Sequence, residues 1–131
     1  MRVIIAGCRT FTPEQERHEA LFAQLDEIIK KYNTKSEKIR IISGHASGAD
    51  HLGELYANSR NYVLNLFPAD WAQFGRSAGP RRNEQMAQYA SALPDTVQSL
   101  LIAYWDGKSA GTKSMIDLAR RHNIPIHIIH I

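Results

Sequence analysis

The chain has 131 residues, with sixteen Lys and Arg against thirteen Asp and Glu, for a net charge of +3. That length is enough for one domain with a real core. So mild a positive excess suits an anionic small molecule and makes a nucleic-acid partner unexpected. No apolar stretch approaches the ~20 residues that cross a bilayer, so no membrane partner is expected. The opening Met1–Gly7 is too short for a secretory leader and turns polar by Arg9, so cytoplasm is the expected location. A single cysteine, Cys8, excludes an internal disulfide.

Short apolar runs alternate with helical spacing along the chain. The first strand is predicted at Arg2–Ala6 and leads into Gly7-Cys8-Arg9-Thr10. Cys8 reads as a small hydrophobe closing that strand, and the sharper alternative is a thiol made reactive by Arg9. The first helix is expected over Pro13–Tyr32, with Leu21, Leu25, Ile28, Ile29 and Tyr32 on one face. Thr12-Pro13-Glu14-Gln15 would be its capping box. A second strand, Ile39–Ile42, runs into Ser43-Gly44-His45-Ala46-Ser47-Gly48-Ala49-Asp50. The second helix follows from Gly48 to Arg60, with Leu52, Leu55 and Tyr56 inward. A third strand, Tyr62–Phe67, opens into a long loop, Pro68–Gly79. The third helix starts at Pro80 and ends before Pro94, burying Met86, Tyr89, Ala90 and Leu93. A fourth strand, Val97–Tyr104, leads into Asp106-Gly107-Lys108-Ser109-Ala110-Gly111-Thr112. The last helix, Gly111–His122, buries Met115, Ile116, Leu118 and Ala119, and Pro125–Ile129 is the fifth strand.

This order predicts an α/β fold of three layers, a five-stranded and mostly parallel sheet with helices on both faces, in one domain over residues 1–131. In such sheets ligands sit beyond the carboxyl ends of the strands, where the strand order reverses. Both glycine-bearing turns, at 43–50 and 106–112, fall on that rim. Glycine lets backbone N–H groups approach an anion, and a helix start adds partial positive charge at the same point. The pattern therefore points to a phosphate-bearing ligand, although neither turn is a dinucleotide fingerprint or a Walker A loop.

The Ser43–Asp50 turn resembles the SG-x-A-x-G-x-D turn of the SLOG superfamily, which groups the DprA/Smf proteins with the Lonely Guy enzymes. Phe67-Pro68-Ala69-Asp70-Trp71, Gly75, Ala78-Gly79-Pro80, Arg82-Asn83 and Met86 are closer to its YspA-like branch. Gly7-Cys8-Arg9-Thr10-Phe11 stands where that branch carries G-S-R-x-F, with cysteine in place of serine, so any phosphate contact there falls to backbone N–H groups. The resemblance implies a Rossmann-like, nucleotide-binding protein. Likeness to the Lonely Guy enzymes implies a homodimer and a possible phosphoribohydrolase activity, N-glycosidic cleavage of a nucleoside monophosphate. Their P-G-G-x-G-T-x-x-E motif overlaps Asp106–Thr112 with a one-residue stretch, but its glutamate falls on Met115. Methionine can neither stabilise an oxocarbenium ion nor activate water. Asp117 lies about 200° further round the helix and is a poor substitute.

The expected ligand-binding residues are Gly7, Cys8, Arg9, Ser43, Gly44, Gly48, Asp50, Arg82, Asn83, Asp106, Gly107, Ser109, Gly111 and Thr112. Asp50, Glu54 and Arg82 are the candidates for catalysis. Asp50 has three readings: a helix-start cap, an acceptor for a ribose hydroxyl, or a partner of Arg82. Arg82 at a helix start works against the dipole unless an anion is bound there. Trp71 and Phe74 are candidate stacking surfaces or packing, and His45 is a further ligand contact. None of the six histidines has zinc-site spacing, so no metal is expected and no cofactor is required beyond a bound nucleotide. The leading expectation is binding of a nucleotide-like small molecule, with sensing and catalysis both open. Hydrolysis of a nucleotide N-glycosidic or phosphoester bond is the alternative, and DprA-like binding of single-stranded DNA is a third.

Overall fold

The computed structural model describes residues 1–92 and 97–131. Five strands form one sheet: β1 (Arg2–Gly7), β2 (Arg40–Ser43), β3 (Val63–Leu66), β4 (Ser99–Trp105) and β5 (Ile126–His130). Their order is β3-β2-β1-β4-β5, and every neighbouring pair is parallel. The helices are α1 (His18–Tyr32), α2 (Ala49–Arg60), the one-turn α3 (Trp71–Phe74), α4 (Ala78–Ser91) and α5 (Ala110–Arg121).

Alternation along the strands builds two cores. Val3 and Ile5 of β1 face α1 and α2, where they meet Phe22, Leu25, Leu52 and Tyr56. Ile4 and Ala6 face the other way, onto Met86 and Ala90 of α4 and Met115, Ile116 and Ala119 of α5. A strand buried on both faces has no polar side to spare, which is why β1 and β4 read as unbroken apolar runs. The three-layer α/β arrangement expected from the sequence is the one observed. The reversal in strand order falls between β1 and β4, so the loops that leave these two strands part company and open a crevice between them.

Three local expectations are corrected. The first helix does not start at Pro13. Glu14 is extended, Gln15–Arg17 forms a 3-10 turn, and no side chain caps either segment. Phe11 stacks on Tyr104 with ring centroids 4.7 Å apart, which holds the chain against the sheet end before the helix can begin. The Pro68–Gly79 segment is not all loop. Asp70 accepts from the Gln73 amide at 3.1 Å and caps α3, and a 3-10 turn at Gly75–Ser77 leads directly into α4. That helix begins two residues before Pro80, which is tolerated because first-turn amides have no helical partner. Leu93, expected in the core, lies outside the described residues. No helix among the described residues is long and apolar enough to cross a membrane.

Candidate functional site

The crevice holds a cavity of about 610 Å³, within the size range of small-molecule sites. Its walls come from the end of β1 and the following loop (Gly7, Cys8, Arg9), from Asp50 of α2, from Arg82 and Asn83 of α4, and from Asp106, Ser109, Gly111 and Thr112 at the start of α5. Ten of the sequence candidates thus converge on one space. A second cavity of about 300 Å³ adjoins it, lined by Gly44, His45, Ala46 and Ser47 on one side and Pro68 and Ala69 on the other. Arg9, Ala46, Trp71 and Arg82 line both.

The β4–α5 turn is built to leave amides free. Asp106 Oδ1 accepts from the Lys108 and Ser109 amides, both at 2.8 Å, and these bonds hold its carboxyl below the usual carboxylate range. Gly107 takes a positive φ of 81° within this tight loop. Ser109 then caps α5, its Oγ accepting from the Thr112 amide and, at 3.1 Å, from the Thr112 hydroxyl. Among the described residues the Ala110 and Gly111 amides have no protein acceptor, and both residues line the larger cavity. Nothing lies within 4 Å of where a Gly111 side chain would begin. Two free amides at the positive end of a three-turn helix favour an anion.

The β2–α2 turn looks similar in sequence and is used differently. The His45 amide donates to Ser43 Oγ at 3.0 Å, the Ala46 amide to Asp50 Oδ2 at 3.1 Å, and the Ala49 amide to the Cys8 carbonyl at 3.2 Å. These three amides are spent on the protein, whereas the Gly44, Ser47 and Gly48 amides have no acceptor among the described residues. Gly48 is required by packing: φ is +79°, and a Cβ would sit 2.3 Å from the Cys8 carbonyl oxygen. A Cβ on Gly44 would lie 2.6 Å from Arg82 Nη1 and 2.8 Å from Asp50 Oδ2. Both glycines let the turn press against neighbouring loops, and Ser43 and Gly48 line neither cavity.

Arg82 is the buried cation of the site, 8% exposed. Its Nη1 donates to the Gly44 carbonyl and its Nε to Asn83 Oδ1 at 2.9 Å, while Nη2 has no protein partner among the described residues. Burial pushes this guanidinium below its usual range, and the Asp50 carboxylate opposes that shift. Asp50 is itself buried, which raises its carboxyl above the usual range against the Ala46 amide and Arg82. Asp50 neither caps α2 nor forms an ion pair within 4 Å of Arg82; the two groups flank Gly44 instead. Asn83 uses both ends of its amide, accepting from Arg82 and donating to the Gly111 carbonyl at 3.4 Å, so it ties α4 to the anion-favouring turn. Arg9 lies over the Trp71 ring at 5.3 Å, and Arg81 turns outward over Phe74 at 4.3 Å.

Glu54 lines neither cavity. Its Oε2 accepts from Ser43 Oγ at 2.7 Å, and His45 Nδ1 lies 3.1 and 3.3 Å from its two oxygens. Met115 does line the larger cavity, placing a thioether where likeness to the Lonely Guy enzymes would put a carboxylate. Asp117 pairs with Lys113 and Arg120 on the surface. Ala110 lies within the Asp106–Thr112 turn expected to bind phosphate through backbone N–H groups, and its amide is free because it follows the Ser109 cap. The one-turn α3 was not expected, although the Asp70-x-x-Gln73 capping pattern signals it.

Residues 1–74 match the model of the YspA, cpYpsA-related SLOG family, more than half of the chain. The chain belongs to that family. The matched span of this SLOG protein carries β1, the β2–α2 turn and α3, and so one side of both cavities; Arg82, Asn83 and the β4–α5 turn lie beyond it. No curated protein and no solved structure matches the chain. SLOG membership indicates a nucleotide-related binding or processing role.

Proposed function

We propose that this protein binds a nucleotide or nucleotide-derived ligand at the carboxyl edge of its sheet, with a phosphate on the free amides of Ala110 and Gly111 and beside Arg82. The observation that carries this reading is the coincidence of two unpaired helix-start amides with a buried guanidinium whose Nη2 is unused. A cation held 8% exposed without a direct ion pair is costly, and an anion between it and the helix start relieves that cost. Arg9 and Trp71 flank the same space, one as a second cation and the other as an aromatic wall. The N-glycosidase alternative lacks its carboxylate at Met115, and we do not adopt it.

Thermal denaturation with adenine and guanine nucleotides and with ADP-ribose tests the reading. A ligand at about a hundred times its Kd stabilises the fold by ~2.7 kcal/mol, a readily measured rise in Tm. Arg82→Ala is expected to abolish that rise. A broad nucleotide panel that leaves Tm unmoved would overturn the proposal.

A further inference from the structure

The smaller cavity carries a feature that binding alone leaves unexplained. His45 stands at φ +59°, a left-handed conformation that non-glycine residues seldom adopt. Its Nδ1 faces the Glu54 carboxylate, an acceptor, and that contact selects the tautomer of the neutral ring with the proton on Nδ1 and the lone pair on Nε2. Glu54 is in turn fixed by the hydroxyl of the fully buried Ser43. Among the described residues Nε2 has no partner, and His45 lines the cavity together with Arg9 and Arg82. No carboxylate lines this cavity. Two guanidinium groups oppose the positive charge of an oxocarbenium ion and favour the oxygen charge of a transferring phosphoryl group.

We propose that the smaller cavity is a hydrolytic site for a nucleoside diphosphate, with His45 as the general base and Glu54 as its positioning residue. This rests on the binding reading above. One phosphate is anchored at the start of α5, and the adjacent, terminal phosphate lies across the shared arginines, facing His45. A water oxygen bonds to the terminal phosphorus as one water proton passes to Nε2. The bond from that phosphorus to the bridging oxygen breaks, its electron pair leaving with the nucleoside monophosphate. The products are nucleoside monophosphate and inorganic phosphate, and His45 returns its proton to solvent.

The test incubates the purified protein with ADP, GDP, AMP and GMP and measures inorganic phosphate, alongside Tm shifts for the same compounds. Phosphate release from the diphosphates alone is expected. His45→Gly suits the left-handed backbone and should lower release by about 10²–10⁴, with partial recovery on adding imidazole, which a purely structural role would not give. Glu54→Gln should lower kcat and leave KM in place. Nucleotides that raise Tm without releasing phosphate would overturn the hydrolytic site and leave the binding reading intact. The hydrolytic proposal also falls if release in His45→Gly equals that of the unaltered protein. If none of the four raises Tm the hydrolytic proposal falls, and the binding reading falls with it when ADP-ribose and the wider nucleotide panel also leave Tm unmoved.

Discussion

Glycines that look alike in the sequence have opposite uses here, and substitution separates them. At Gly48 a side chain meets both a positive φ and a carbonyl oxygen 2.3 Å away. Gly48→Ala should therefore cost at least about 2 kcal/mol, from backbone strain and the displaced Cys8–Arg9 loop together. Gly111 lies inside α5 with open space beside it, so Gly111→Ala should gain up to about 0.5–1 kcal/mol through lower chain entropy. The same methyl group would stand on the wall of the larger cavity and should shrink the nucleotide-induced rise in Tm. Urea midpoints and ligand-dependent Tm values for the two variants check both statements. Loss of stability in Gly111→Ala would mean that the helix start is not the open surface described. The sequence could not distinguish these glycines, because the atoms that crowd Gly44 and Gly48 come from Arg82 and from the Cys8–Arg9 loop, far away along the chain.

At the level of elements, the sheet edge opposite the cavities is tied by Glu37. This residue lies between α1 and β2 and accepts from the Gln98 side chain at 3.0 Å and the Gln98 amide at 2.9 Å, just ahead of β4. Those bonds, the side-chain one first, pull its carboxyl from the ordinary 4.5 down to about 2. A carboxylate whose folded pKa lies below its unfolded value favours the fold when ionised. Its contribution is complete above about pH 4.5 and fades as pH falls toward 2. Stability should drop across that window, and Glu37→Gln should flatten the drop in urea midpoints measured at pH 3 and pH 5. An unchanged slope would remove Glu37 from the account. Element boundaries were legible wherever burial sets them, as along β1, β4 and the inner faces of α2 and α5. They were misread where a single long-range contact decides. Phe11 on Tyr104 delays α1, and a one-turn helix such as α3 is too short for periodicity to reveal.

The whole molecule keeps its stability and its candidate chemistry in different places. Ile102 of β4 is fully buried in the core beneath α1 and α2, whereas both cavities open at the carboxyl ends of the strands. Ile102→Ala should cost about 2–5 kcal/mol, seen as a lower urea midpoint with the slope preserved. The increment in Tm given by a nucleotide should persist in that variant, and its loss would show that core and site are coupled. The α/β class was readable because a parallel sheet needs apolar strands alternating with amphipathic helices, and those patterns are local. The site was readable only as a rim. Which amides stay free depends on whether a side chain such as Asp50, Ser43 or Asp106 folds back onto them, and spacing alone does not encode that.

Cys8 gives this arrangement a practical use. It is the chain's lone sulfhydryl, buried at 3% exposure, and it lines the larger cavity. A thiol so placed meets an alkylating reagent only when the crevice breathes. Its labelling rate, read by mass from one residue without any engineered tag, is then a clock for that breathing, and a resident guest would slow it.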